Sequence, residues 1–252
     1  MSKQTIAFGC TALMGTNKGG ILKPDADGYY TVILGALDFE NSYGAVYPLV
    51  SAKEIFKESS GFMRRLRKGY CRGEYGHPKR LPGQDHDSFI RRIMTIEETR
   101  ICMHIAEAWI DYDSVQHQGK KIVTIWGKIR PEGPYGAYLK ESLDNPKCNV
   151  AFSLRSITLD EYINGRLHKN IDDIACWDFV VEPGLAVANK YANPALEEFS
   201  TVAVPISMVK HLVAQEDGHF GLESADMLRE LVTRVEAQNP KAAYKVAPSA
   251  NW

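Results

Sequence analysis

Runs of alternating and β-branched residues dominate the front and middle of the chain, and 3–4 periodicity appears only in short stretches. Thr5–Leu13 and Tyr29–Leu34 carry the aromatic and β-branched content of strands, separated by the turn chemistry of Pro24-Asp25-Ala26-Asp27-Gly28. Ala52–Lys68 places Ile55, Phe56, Phe62, Met63 and Leu66 on one or two short helices broken near Gly61. Residues 79–88 read as a polar loop. Ile101–Ile110 alternates as a strand, and Lys121–Ile129 is a second one, with Asp113–Gly119 suited to a hairpin loop.

Gly133-Pro134 opens a helix through Leu143, which Asn145-Pro146 ends because the residue before a proline avoids helical backbone. Cys148–Thr158 is an apolar strand that contains serine, Leu159–Asn170 a polar connection, and Ile174–Glu182 another strand closed by Pro183-Gly184. After Pro205 the pattern turns helical. A last helix from Ser224, its expected N-cap, to Ala237 buries Met227, Leu228, Leu231 and Val235. The tail 239–252 has no period and reads as flexible. The expectation is an α+β chain, mainly β, with helices flanking the sheet core. Its main unit is expected over 1–215, with a helix and tail over 216–252.

Composition narrows the classes. The chain has 252 residues, with Lys+Arg 30 against Asp+Glu 31, so no basic excess marks a specific nucleic-acid binder. A chain of this size buries roughly 70–75% of its unfolded surface and needs no metal or disulfide to fold. The five cysteines (Cys10, Cys71, Cys102, Cys148 and Cys176) are odd in number and never spaced C-x-x-C. That pattern suggests a reducing compartment and buried thiols. No run approaches the ~18 apolar residues of a membrane span, and the N-terminus has no signal-peptide organisation. A soluble intracellular protein is expected. The basic run Met63-Arg64-Arg65-Leu66-Arg67-Lys68 reads as a solvated helix face, with a patch for an acidic partner or packaged nucleic acid as the alternative.

Two stretches carry candidate chemistry. Gly73-Glu74-Tyr75-Gly76-His77-Pro78 holds a histidine in a turn framed by glycine and proline. Asn149-Val150-Ala151-Phe152-Ser153-Leu154-Arg155-Ser156 carries a serine within the apolar strand. A hydroxyl becomes a useful nucleophile when a neighbouring base takes its proton, so the two together are the minimum kit for acyl transfer. There is no G-x-S-x-G elbow, no H-E-x-x-H and no phosphate loop.

Taken in order, Gly-Glu-x-x-His-Pro, His104-Ile105 on a strand, a helix, Phe-Ser-x-Arg-Ser, and Trp177-Asp178-Phe179-Val180-Val181-Glu182-Pro183-Gly184 with Ala186 and Ala188 form a series over Gly20–Ala188. The series resembles the prohead core proteases of tailed bacteriophages, capsid-maturation serine endopeptidases distantly similar in fold to herpesvirus assemblin. Family members usually read Ser-Ser-Arg-Gly where this chain has Ser153-Leu154-Arg155-Ser156, and often Ser-His where it has Met103-His104.

The resemblance implies a herpesvirus-protease-like β-barrel core surrounded by helices, with Ser153 as nucleophile, Ser156 as its competitor, and His77 as general base. Asp178 stands where herpesvirus proteases place a second histidine and is the expected third member, with His104 and then Glu74 as alternatives. Arg155, through its amide or guanidinium, is the oxyanion candidate, and Arg155 with Ser156 makes up the expected oxyanion and substrate-binding group. Lys79, Arg80 and Arg155 are candidates for a cationic pocket, since such enzymes tend to cut after glutamate.

The resemblance further implies no cofactor and no metal, a homodimer, and phage scaffold, core and capsid proteins as substrates inside a prohead assembled in the host cytoplasm. Leu196-Glu197-Glu198 and Leu228-Arg229-Glu230 have the form of cleavage triplets, and self-trimming after Glu230 is an expectation. Two other readings stay open: an inactive scaffold or capsid-interaction protein on the same fold, and a Cys/His hydrolase using Cys71 or Cys102.

Overall fold

The computed structural model describes residues 5–13, 22–41, 44–117, 119–146, 148, 150–181, 200–214 and 222–238. Among them lie nine strands: β1 Thr5–Leu13, β2 Tyr30–Leu37, β3 Ala45–Val46, β4 Arg72–Glu74, β5 Ile101–His117, β6 Lys120–Pro131, β7 Ala151–Ile163, β8 Arg166–Val180 and β9 Ser200–Pro205. Six α-helices accompany them: α1 Leu49–Ile55, α2 Gly61–Arg67, α3 His86–Met94, α4 Gly136–Asp144, α5 Ile206–Ala214 and α6 Leu222–Gln238. The strands form two sheets, one ordered β3-β8-β7-β1-β9 and the other β2-β6-β5-β4. This is the mixed, mainly β architecture that the alternation predicted. The expected barrel is not seen: the described strands form no closed barrel, and a single bridge, Tyr75 to Phe179, links the segment after β4 to β8.

Alternation along β7 divides the interior. Phe152 and Leu154 point into a core shared with Val32 and Leu34 of β2, Ile125 and Ile129 of β6, and Trp177 and Phe179 of β8. Helices α1, α2 and α4 close its edges through Ala52, Phe62 and Leu139. Ile157 faces the other way, into a second core with Ile6, Phe8, Val202, and the apolar stripes of α3, α5 and α6. The first sheet is therefore covered on both faces, which explains why all of its central strand from Ala151 to Thr158 is buried. No helix among the described residues is long and apolar enough to cross a membrane.

Several local expectations change. Helix α3 begins inside the predicted 79–88 loop: the Asp85 side chain caps it by accepting the Ser88 N–H at 2.7 Å, and Phe89, Ile90, Ile93 and Met94 are buried. Charged Asp87, Arg91 and Arg92 hide that stripe in the sequence. The 113–119 loop is mostly strand, with His117 pairing Lys120. Leu159–Asn170 is a hairpin, not a polar connection. Asn164 (φ 52) and Gly165 (φ 78) form its two-residue turn between the paired Ile163 and Arg166, since both central positions of that turn type need positive φ. Strand β9, which carries no separate expectation, pairs with β1.

Ser224 does not cap α6 from outside; it sits within the helix and its hydroxyl donates to the Met94 carbonyl at 2.7 Å. The basic run is only partly a solvated face. Arg64 pairs with Glu230 and Arg67 with Glu58, while Arg65 is buried against Asp173. The predicted tail 239–252 lies outside the described residues.

Candidate active site

Ser153 sits on β7, paired with Asp178 of β8 on one side and Ala12 of β1 on the other. Directly paired residues share a face, so Ser153, Arg155 and Asp178 point together, away from the first core. The Ser153 side chain has no exposed surface, and its Oγ makes no hydrogen bond among the described residues. A buried hydroxyl left so costs about 1–3 kcal/mol. Such a group in a native fold calls for an explanation, of which a catalytic role is one.

His77 arrives from the opposite side of β8. Phe179 is flanked by Phe152 of β7 on one edge and by Tyr75 on the other. The Gly76 N–H donates to the Phe179 carbonyl at 2.7 Å, and the Tyr75 N–H donates to the Arg100 carbonyl at 2.9 Å. His77 follows at once, half-buried, with both ring nitrogens shielded from solvent. The two stretches that carry candidate chemistry thus flank the same few residues of β8. Gly73 makes this approach possible: a Cβ there would fall 2.0 Å from the Trp177 carbonyl oxygen.

Between them lies a buried ionic cluster. Arg155 sends Nε to Asp178 Oδ2 at 2.9 Å and Nη2 to Asp178 Oδ1 at 2.8 Å. Its Nη1 donates to the Ile93 and Thr95 carbonyls at 3.3 and 3.0 Å, at the C-terminal end of α3, where a cation suits the unpaired carbonyls. Glu74 closes the cluster. Its N–H donates to Asp178 Oδ1 at 2.9 Å, and its carboxylate meets Arg155 at 3.3 Å, Arg92 at 2.5 Å and the Glu97 N–H at 2.8 Å. Arg155, Asp178 and Glu74 have no exposed side-chain surface.

The two carboxyls answer burial differently. Burial pushes Asp178 above the usual aspartate range, with Arg155 opposing and Glu74 reinforcing. Burial also acts to raise Glu74, but Arg155, Arg92 and the Glu97 amide outweigh it and hold its pKa down.

Of the expected site residues, Asp178 directs its oxygens to Arg155, the Glu74 amide and the Cys176 thiol, so among the described residues it is joined to a guanidinium. The Arg155 guanidinium is spent on Asp178, Glu74 and two carbonyls, which removes that part of it from oxyanion or substrate binding. Ser156, three residues from Ser153 on a regularly alternating strand, faces the opposite side and pairs with Ile174 and Gly9.

His104 pairs with Arg72 across β4 and β5, and its Nδ1 lies 3.0 Å from the Tyr29 hydroxyl. Neither Arg72 nor Tyr29 belongs to the Ser153 group. Burial, then the charge of Arg72, lowers its pKa. The thiol alternative loses ground as well. Burial pushes Cys71 up to about 11 and Cys102 higher still, so neither presents a thiolate at neutral pH. Arg92 was not foreseen as part of this site; it comes from α3, 18 positions from Glu74, and no local motif signals the contact.

A family model for the Peptidase S80 family matches residues 8–237. The chain belongs to the Peptidase S80 family. The match spans both sheets and reaches into α6, so the candidate site lies wholly within the peptidase unit. The capsid maturation protease of Pseudomonas phage phiKZ is 41% identical over 198 residues, covering 77% of this chain and 72% of that protein. Among solved structures, the bacteriophage T4 capsid assembly protease gp21 aligns with a TM-score of 0.45 at 11% identity, covering 72% of this chain and 96% of its own.

Proposed function

We propose that this peptidase is a serine endopeptidase that processes phage scaffold, core and capsid proteins inside the prohead during maturation, with Ser153 as nucleophile and His77 as general base. Three things support the reading: membership of a peptidase family, the named role of the phiKZ relative, and the resemblance of the Ser153 and His77 stretches. The observation that carries it is the buried Ser153 hydroxyl, without a hydrogen-bond partner among the described residues, on the strand that lies across β8 from the segment carrying His77.

In the proposed step His77 takes the Ser153 proton as Oγ bonds to the scissile carbonyl carbon. The imidazolium then gives that proton to the departing amine as the C–N bond breaks. Water, deprotonated by the same imidazole, releases the acyl group. Because Ser153 has no exposed surface, a peptide reaches it only when the segments around it part.

Cleavage after glutamate asks for a cation near the scissile bond. With the Arg155 guanidinium spent, Lys79 and Arg80 are the remaining candidates; both are exposed and lie two and three residues after His77. Self-trimming after Glu230 would require α6 to detach, since Leu228 is fully buried and Glu230 pairs with Arg64. A homodimer is proposed as the working form, from the family resemblance.

The test is cleavage of a glutamate-containing scaffold peptide by the parental chain, Ser153→Ala and His77→Ala. Either substitution is expected to lower kcat by about 10⁴–10⁶-fold with the folded spectrum retained. Full cleavage by Ser153→Ala would end the proposal. No cleavage by the parental chain under any condition would favour the inactive scaffold. Mass spectrometry of the same samples reads the trimming, and identical C-termini in active and Ser153→Ala protein would exclude it.

A further inference from the structure

The buried cluster serves neither of the roles that its residue types first suggest, yet each member is one short step from a reacting group. Arg155 is two residues from Ser153, Asp178 is its cross-strand partner, and Glu74 is three residues before His77. We infer that Arg155, Asp178 and Glu74 form a positioning clamp that fixes the segment carrying His77 against the strand carrying Ser153. The inference rests on the Ser153–His77 reading above.

The wiring favours this role over general stabilisation. Buried ion pairs are poor sources of stability, because desolvation offsets their attraction, but they fix a geometry. Here Asp178 binds both sides at once: its Oδ1 accepts the Arg155 Nη2–H from the serine strand and the Glu74 backbone N–H from the histidine segment. Glu74 is gripped a second time through its carboxylate, by Arg155, Arg92 and the Glu97 amide. Without these contacts the segment 73–77 would be held by the pairing of β4 with β5, by Arg100, and against β8 by the Tyr75–Phe179 bridge and ring contact. The bidentate fork of Arg155 also limits rotation about the junction, which a single contact would allow.

A clamp predicts coupling, and mere stability does not. The probe is a fluorophosphonate reacting with the full-length protein: Ser153 Oγ bonds to phosphorus, fluoride leaves, and His77 takes the hydroxyl proton. Four chains are compared: parental, His77→Ala, Glu74→Gln, and the double variant. Glu74→Gln is expected to slow labelling about 10–100-fold, and His77→Ala is then expected to cost far less in that background than in the parental chain. The same fold-loss from His77→Ala in both backgrounds would overturn the clamp.

Arg92→Gln, at the partly exposed edge of the cluster, gives the same cycle without burying an unpaired charge, and serves if Glu74→Gln does not fold. Its expected coupling has the same sign and is smaller, and additivity there counts equally against the clamp. No effect of His77→Ala in the parental chain would instead overturn the Ser153–His77 reading itself, and that outcome is distinguishable because the cluster variants are not involved.

Discussion

Strand β8 carries two buried arginine–aspartate pairs, and they are built differently. Asp173 faces Arg65 of α2 at 3.7 Å; its Oδ1 accepts its neighbour Ile174's N–H at 2.7 Å, while Arg65 also donates to the Ile174 carbonyl. Asp178 takes both arms of Arg155 at 2.8–2.9 Å and a third donor from Glu74. Burial raises the pKa of both aspartates, against the pull of their arginines. What differs is the number and origin of the donors. The Asp173 pair ties one helix to the sheet. The Asp178 pair ties together three segments, two of which carry the proposed catalytic groups. Donor count at a buried carboxylate therefore separates a packing contact from a geometric one here.

The largest test of that contrast is Arg155→Met. It leaves Asp178 without its guanidinium beside a Glu74 still paired with Arg92 and Arg100, and is expected to cost about 3–5 kcal/mol in denaturant unfolding. Gly73→Ala should come next, at about 3 kcal/mol, because its Cβ would overlap the Trp177 carbonyl. It should also depress fluorophosphonate labelling, since it forces the His77 segment off β8. A variant that stays stable and fully reactive would show that the close approach is not needed.

Arg65→Met should cost less, about 2 kcal/mol, because Asp173 can take up a proton once its long contact is gone. The sign follows from linkage. A carboxyl whose folded pKa lies above 3.8 binds more protons folded than unfolded, so its stability contribution falls as pH rises through that window. The Arg65→Met deficit should therefore be largest at neutral pH and shrink on acidification. A deficit independent of pH would mean that Asp173 stays ionised.

The smallest effect concerns His104. Its pKa lies below 6.5 in the fold, so the unfolded chain binds more protons near that pH and stability falls as pH drops through 6.5. His104→Gln should flatten this shallow slope in thermal unfolding scans while leaving peptide cleavage unchanged. Loss of cleavage would return His104 to the list of catalytic candidates.

Period and turn chemistry made much of the fold legible. β1 and the paired short helices α1 and α2 follow from patterns within a few residues. The Asn164-Gly165 turn was written as plainly, but the polar residues around it disguise two long strands as a loop. These strands project Glu161 to Arg166 into solvent, so their alternation carries no apolar face to read. Helix α3 was hidden for the opposite reason: its arginines look like surface, yet Arg92 turns inward to a buried glutamate.

The order of motifs along the polymer, through its resemblance to the phage prohead proteases, was enough to indicate a peptidase and to nominate Ser153 and His77 as the proposed catalytic pair. It could not assign Asp178 or Arg155, whose chemistry suits a triad or an oxyanion site equally well on paper. Only the register of β7 against β8, and the entry of Glu74 from the far side, decided that they bind each other. The physical reason is that a buried charge takes its role from whichever counter-charge the tertiary fold brings within hydrogen-bond reach, and that partner can lie anywhere in the sequence.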